Sequence, residues 1–168
     1  MGSIKHNNMI KIKNNKGIFS GRYRLKTFKA GTKELIRQTD WIKNLIVSND
    51  NNGLNLVLQE LNAQTTYDLA ITQAKIGTGD TAPVDGNTDL ETPTSTVGDI
   101  LVATRVLTTD DLTLGFFISD AQLPEGEYKE FGLFCGEQLF ARSLISPTYT
   151  KSIGEDTTCE YVIEVTNV

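Results

Sequence analysis

The chain has 168 residues with a net charge of −5, 39% hydrophobic and 22% charged side chains. That length and composition fit one folded domain that buries a core without metal or disulfide support. They exclude a wholly disordered chain, and the negative balance argues against a general nucleic-acid-binding surface. Lys and Arg gather in residues 1–43 and many carboxylates in 80–130, a pattern either of a basic arm meeting an acidic partner, another copy of the chain among the candidates, or of a solvated basic tail. No apolar run is long enough to span a membrane, and Met1-Gly2-Ser3-Ile4-Lys5-His6 has no signal-peptide core.

In chain order, residues 1–20 are rich in Lys and Asn, with weak alternation at Met9-Ile10-Lys11-Ile12-Lys13. They are expected to form a basic arm that is flexible or ordered on assembly. Residues 21–168 are expected to form a single domain. Arg22–Phe28 alternates polar and apolar side chains, Ala30-Gly31-Thr32 turns, and Leu35 and Ile36 return, which predicts a hairpin over 22–38. Trp41-Ile42-Lys43-Asn44-Leu45-Ile46-Val47 is apolar enough to enter the core. After a polar turn, Leu54, Val57, Leu58 and Leu61 recur at helical spacing, predicting one amphipathic helix at about 52–62 with that face on a sheet.

Ile71–Ile76 reads as a strand ended by Gly77-Thr78-Gly79. Residues 77–99 then form a long loop with Pro83, Gly86, Pro93 and Gly98, a length that often carries an interface. Strands are predicted at Ile100–Leu107, Leu112–Ser119, Tyr128–Cys135, Gln138–Leu144 and Thr157–Val165. Phe116 and Phe117 are adjacent in one of them and must point to opposite faces. The fold class expected is mainly β, an antiparallel β-sandwich with one amphipathic helix and an extended N-terminal arm.

Motifs for chemistry are weak. Gly77-Thr78-Gly79-Asp80-Thr81-Ala82 has dinucleotide-fingerprint spacing, but Pro83 and Gly86 follow where a helix must begin, so a glycine turn is the better reading. Asp85-Gly86-Asn87-Thr88-Asp89-Leu90-Glu91 alternates oxygen donors like a calcium loop, yet lacks flanking helices, so a solvated acidic loop is expected. His6 is the only histidine and lies in the arm, leaving Cys135 and Cys159 without a base. Both are expected as buried free thiols, a disulfide between them being the alternative. Glu125, Glu127, Glu130 and Glu137 read as a polar rim. No catalytic, cofactor or metal residue is assigned, and the chain is expected not to be an enzyme. The residues expected to dock partners are Lys11, Lys13, Arg22 and Arg24 in the arm and first strand, and Asp80, Asp85 and Asp89 in the loop.

Several stretches from Leu69 to Val165 match, in order, a known pattern: Ile76-Gly77-Thr78-Gly79 before Ala82-Pro83, Thr88-Asp89-Leu90-Glu91, Arg105, Phe117-Ile118 to Pro124, Lys129-Glu130-Phe131-Gly132-Leu133-Phe134, Leu139-Phe140-Ala141-Arg142, and Tyr149-Thr150-Lys151. The series resembles the N-terminal, baseplate-attachment domain of phage tail fibres and small phage tail structural proteins. The resemblance implies a virion structural protein of the tail, baseplate or fibre-attachment region, made in host cytoplasm, docking other virion proteins and forming a homo-oligomer, a trimer or higher ring. It implies no cofactor, no nucleic acid and no membrane. A capsid decoration or head-fibre protein, and a carbohydrate-binding host-recognition module, are the alternatives. With Val168 just after the last strand, an adaptor is expected rather than a receptor-binding tip.

Overall fold

The computed structural model of the protein describes residues 19–64 and 66–165. Ten strands and one helix follow in order: β1 (Phe19–Lys29), β2 (Leu35–Gln38), β3 (Ile42–Lys43), β4 (Leu45–Ile46), α1 (Leu54–Leu61), β5 (Gln73–Gly77), β6 (Ile100–Leu107), β7 (Asp111–Ile118), β8 (Gly126–Cys135), β9 (Gln138–Lys151) and β10 (Glu155–Val165). The expected mainly-β, antiparallel architecture is present. Phe19 and Ser20, expected in the arm, belong to β1.

Alternation drives the first hairpin. Tyr23, Leu25 and Thr27 are fully buried while Arg22, Arg24 and Lys26 face outward. Gly31 turns the chain at a φ of 70°, a left-handed conformation that glycine adopts without strain. β2 then returns with Gln38 opposite Lys26. β1 pairs along its whole length with β10, from Phe19 opposite Val165 to Lys29 opposite Glu155.

The strands form one sheet in the order β2-β1-β10-β7-β6-β5-β8-β9-β4, and it curls into two facing layers. β6 makes one corner: Ile100 and Leu101 pair with β5, whereas Val102–Leu107 pair with β7 after a bulge between Val102 and Thr104. The segment 42–46 joins the layers on the other side. Ile42 and Lys43 pair with β1, and Leu45 and Ile46 pair with β9. Between the layers, Tyr23 stacks on Phe131 at 5.0 Å and on Tyr161 at 5.7 Å, and Phe116 meets Phe131 edge-on at 6.2 Å. Cys135 and Cys159 are buried free thiols. Phe116 is buried and its neighbour Phe117 exposed, as adjacent strand positions require.

Two expectations need correction. Trp41 does not enter the core; within 41–47, Ile42 and Val47 are buried and Trp41 is exposed, because strand alternation turns it outward. The helix is present, but Leu58 and Leu61 are 63% and 80% exposed, and Leu56 is the buried residue. The turn before it sets that rotation. Gly53, at φ 51°, donates to the Leu139 carbonyl, and Leu54 donates to the Val47 carbonyl. A Cβ on Gly53 would stand 1.9 Å from the Val47 oxygen, so only glycine permits this approach.

Candidate docking site

The long loop lies on the outer face of β5, β8 and β9, where it adds a third layer. β8 makes this possible because alternate residues serve opposite faces. Phe131, Leu133 and Cys135 point into the main core, while Phe134 joins Val47, Leu90 and Leu139 in a second, smaller one. Gly132 leaves space for Leu90, whose Cδ2 would sit 2.8 Å from a Cβ placed there.

Glu130 holds the loop down. Its side chain is fully buried and its two carboxylate oxygens accept hydrogen bonds from the amides of Gly79 (3.1 Å), Glu91 (3.0 Å) and Thr92 (2.7 Å) and from Arg142 Nε (3.0 Å). Arg142, also buried, stands opposite Gly132 on β9. Its remaining nitrogens donate to Asn87 Oδ1 and the Thr81 carbonyl, both at 3.0 Å. A buried ion pair costs desolvation, which these hydrogen bonds offset by filling the lone pairs and N–H groups. Gly77 and Gly79 let the chain pass over it, since a Cβ on either would lie 2.6 Å from Glu130 Oε1. Their spacing therefore serves a close approach, not a nucleotide.

Secondary contacts complete the clamp. Thr81 donates to Glu91 from its amide and its hydroxyl, which holds that carboxyl below its ordinary value, with Arg142 adding to the effect. Asn87 Oδ1 accepts from the Val84 amide, and Asn49 Nδ2 donates to the carbonyls of Asp85 and Asn87. The loop is thus pinned from Gly79 to Thr92. Glu130 is not a rim carboxylate. Among the described residues no group of three or more His, Cys, Asp or Glu side chains is placed to hold a metal ion.

The expected docking residues fall in two places. Asp80, Asp85 and Asp89 are exposed on the loop, Asp80 facing Lys129 at 3.5 Å and Asp89 facing Lys75 at 3.7 Å. Arg22 and Arg24 lie on the outer face of β1, in the other layer. They are not free cations: Arg22 pairs with Glu164 at 2.5 Å, and Arg24 and Lys26 share Glu160 at 2.9 and 2.6 Å. Both guanidinium groups also stand over the exposed Trp41 ring, at 5.1 and 4.6 Å. Lys11 and Lys13 lie outside the described residues.

Sequence reasoning missed Glu130, Arg142 and Trp41. The signal for the first two was available, because β8 carries apolar residues on both faces and so must be covered on both. No helix among the described residues is long and apolar enough to cross a membrane. Comparisons of the chain with protein families, curated proteins and solved structures found no match.

Proposed function

We propose that the protein is a structural component of a phage particle, in the tail, baseplate or fibre-attachment region, acting by docking other virion proteins rather than by catalysis. One observation carries this reading. Of the residues behind the resemblance, which run from Ile76 to Lys151, Gly77, Gly79, Leu90, Glu91, Glu130, Gly132, Phe134 and Arg142 meet in one cluster. These residues form a single structural device, a loop clamped on a two-faced strand. The device presents Asp80, Asp85 and Val84 to solvent on a fixed frame. On the other layer, Trp41 between two arginines has the residue types that anchor protein interfaces. The docked assembly is proposed to contain several copies of this chain.

Immunogold labelling and reconstruction of purified particles test the reading. Density for the two-layered body at the tail, baseplate or fibre root is the expected result. A chain confined to the infected-cell cytosol and never present in particles would overturn it.

A further inference from the structure

We infer that the outer face of the β2-β1-β10-β7-β6 layer is a homodimer interface, where two copies of the chain pack face to face about a two-fold axis running along the strands between β1 and β10. The long loop covers the outer face of the opposite layer, but among the described residues no further layer lies over this one. Leu35, Trp41 and Phe117 stand out from it, 49, 40 and 50% exposed. Arg22 and Arg24 flank the Trp41 ring. Aromatic side chains and arginines together are the composition that protein interfaces favour.

The charges select the occupant. Arg22, Arg24 and Lys26 project from β1, with Lys43 beside them on β3, whereas Glu160 and Glu164 project from β10, with Asp111 beside them on β7. One half of the face is thus basic and the other acidic, split along the line between β1 and β10. A two-fold axis on that line lays the basic half of each copy on the acidic half of the other. A two-fold axis across the strands lays β1 on β1 instead, cation against cation, which is repelled.

The register supplies the pairs. Each β1 residue meets, in the second copy, the β10 residue that it stands beside in its own, so Arg24 faces Glu160 and Ser20 faces Glu164. Within one copy Arg24 and Lys26 share Glu160 at 2.9 and 2.6 Å, and Glu160 stays partly exposed to a cation from above. One strand further out, the Trp41 ring lies level with Arg24, 4.6 Å from its guanidinium, and so faces Gly115, which has no side chain to obstruct it. Sheets packed face to face keep their strands within about 30° of each other, so pairs near the axis stay in reach. Five strands at about 4.8 Å spacing, with about eight residues each at about 3.3 Å, give the face roughly 600 Å². Two copies then bury about 1,200 Å², the lower end of stable interfaces. This inference concerns the chain alone and does not depend on the proposed place in a particle.

Trp41 is the chain's only tryptophan, so its emission reads the interface directly. Sedimentation of the full chain from about 1 to 200 µM is expected to show monomer passing to dimer, with Trp41 emission moving to the blue over the same range. Trp41→Ala is expected to raise the dissociation constant about tenfold. Arg24→Glu and Glu160→Arg, each alone, are expected to raise it about a hundredfold, because the two-fold axis repeats the like-charge contact. Mixed one to one, these two variants are expected to recover a dimer. The new acid of one then faces the new base of the other, and the unchanged Glu160 of the first faces the unchanged Arg24 of the second. A chain that stays monomeric to about 200 µM overturns the inference. So does an assembly whose Trp41 emission does not change with concentration, or a mixture of the two folded charge variants that remains monomeric.

Discussion

Replacing Glu130 with Ala removes the one side chain on which the loop clamp converges. Its carboxylate accepts from three loop amides and from Arg142, and both partners of the ion pair are almost completely buried. The substitution leaves the Arg142 guanidinium enclosed with only the Asn87 and Thr81 oxygens as acceptors. Breaking a buried pair from one side costs about 3–5 kcal/mol. The amides of Gly79, Glu91 and Thr92 add little if the loop lifts and lets water reach them, but lifting also uncovers Leu90, Phe134 and Leu139. A loss of about 3–5 kcal/mol is a large fraction of a domain's total stability and corresponds to a fall in Tm of about 6–20 °C. Urea unfolding measures the first quantity, and native-state amide exchange reports whether residues 79, 91 and 92 lose protection. Glu130→Leu/Arg142→Met, which removes both charges, is expected to be more stable than Glu130→Ala. A Glu130→Ala chain within about 1 kcal/mol of the parent, with those amides still protected, would show that the clamp does not hold the loop.

Tyr161 Oη is buried without a hydrogen-bond partner among the described residues, so Tyr161→Phe is expected to be neutral or to stabilise by up to about 1 kcal/mol in urea unfolding, whereas a clear loss would mean that the hydroxyl is satisfied. Burial pushes the Cys135 thiol up to about 12 and Cys159 well above its ordinary value, so a thiol reagent at pH 8 is expected to titrate neither in the native protein and both after denaturation; rapid native labelling would contradict the packing. Hydrogen bonds from Lys151 and Arg37 lower the Asp120 and Glu155 carboxyls in the folded state from ordinary values of 3.8 and 4.5. Their stabilising contribution is therefore complete above those values and lost as pH falls through the lower folded ones, so the urea midpoint is expected to be flat from neutrality to about pH 5.5 and to drop below 4.5, with Glu155→Gln showing a shallower drop.

Much of the fold is readable from alternation because β1, β7 and β10 each have one face in the main core. Tyr23, Leu25 and Thr27 in β1, or Cys159, Tyr161 and Ile163 in β10, announce themselves by period. The helix is readable by its spacing, but not its orientation. Leu54, Val57, Leu58 and Leu61 make a plausible buried face, and what turns Leu58 and Leu61 outward, while Val57 still packs against the core, is the close contact of Gly53 with Val47, together with its bond to Leu139 some 86 residues later. Trp41 looks like core by composition alone, and its outward position follows from the parity of a two-residue strand. Arg22 and Arg24 looked available because their partners Glu164 and Glu160 lie at the far end of the chain, and register between distant strands is not a local property. Glu130 was hidden among the turn carboxylates around it, although the strand it sits in is apolar on both sides.

The pinned loop alters the energetics of the proposed docking role. A loop that orders only on assembly subtracts its ordering entropy from the affinity of every contact it makes. Here Glu130 and Arg142 fix residues 79–92 during folding, so the ordering cost falls on the isolated chain and a partner meets a surface already in place. Asp80 and Asp85 can then contribute through charge and shape without rearranging the body. A weakened clamp should therefore lower affinity for a loop partner by restoring disorder.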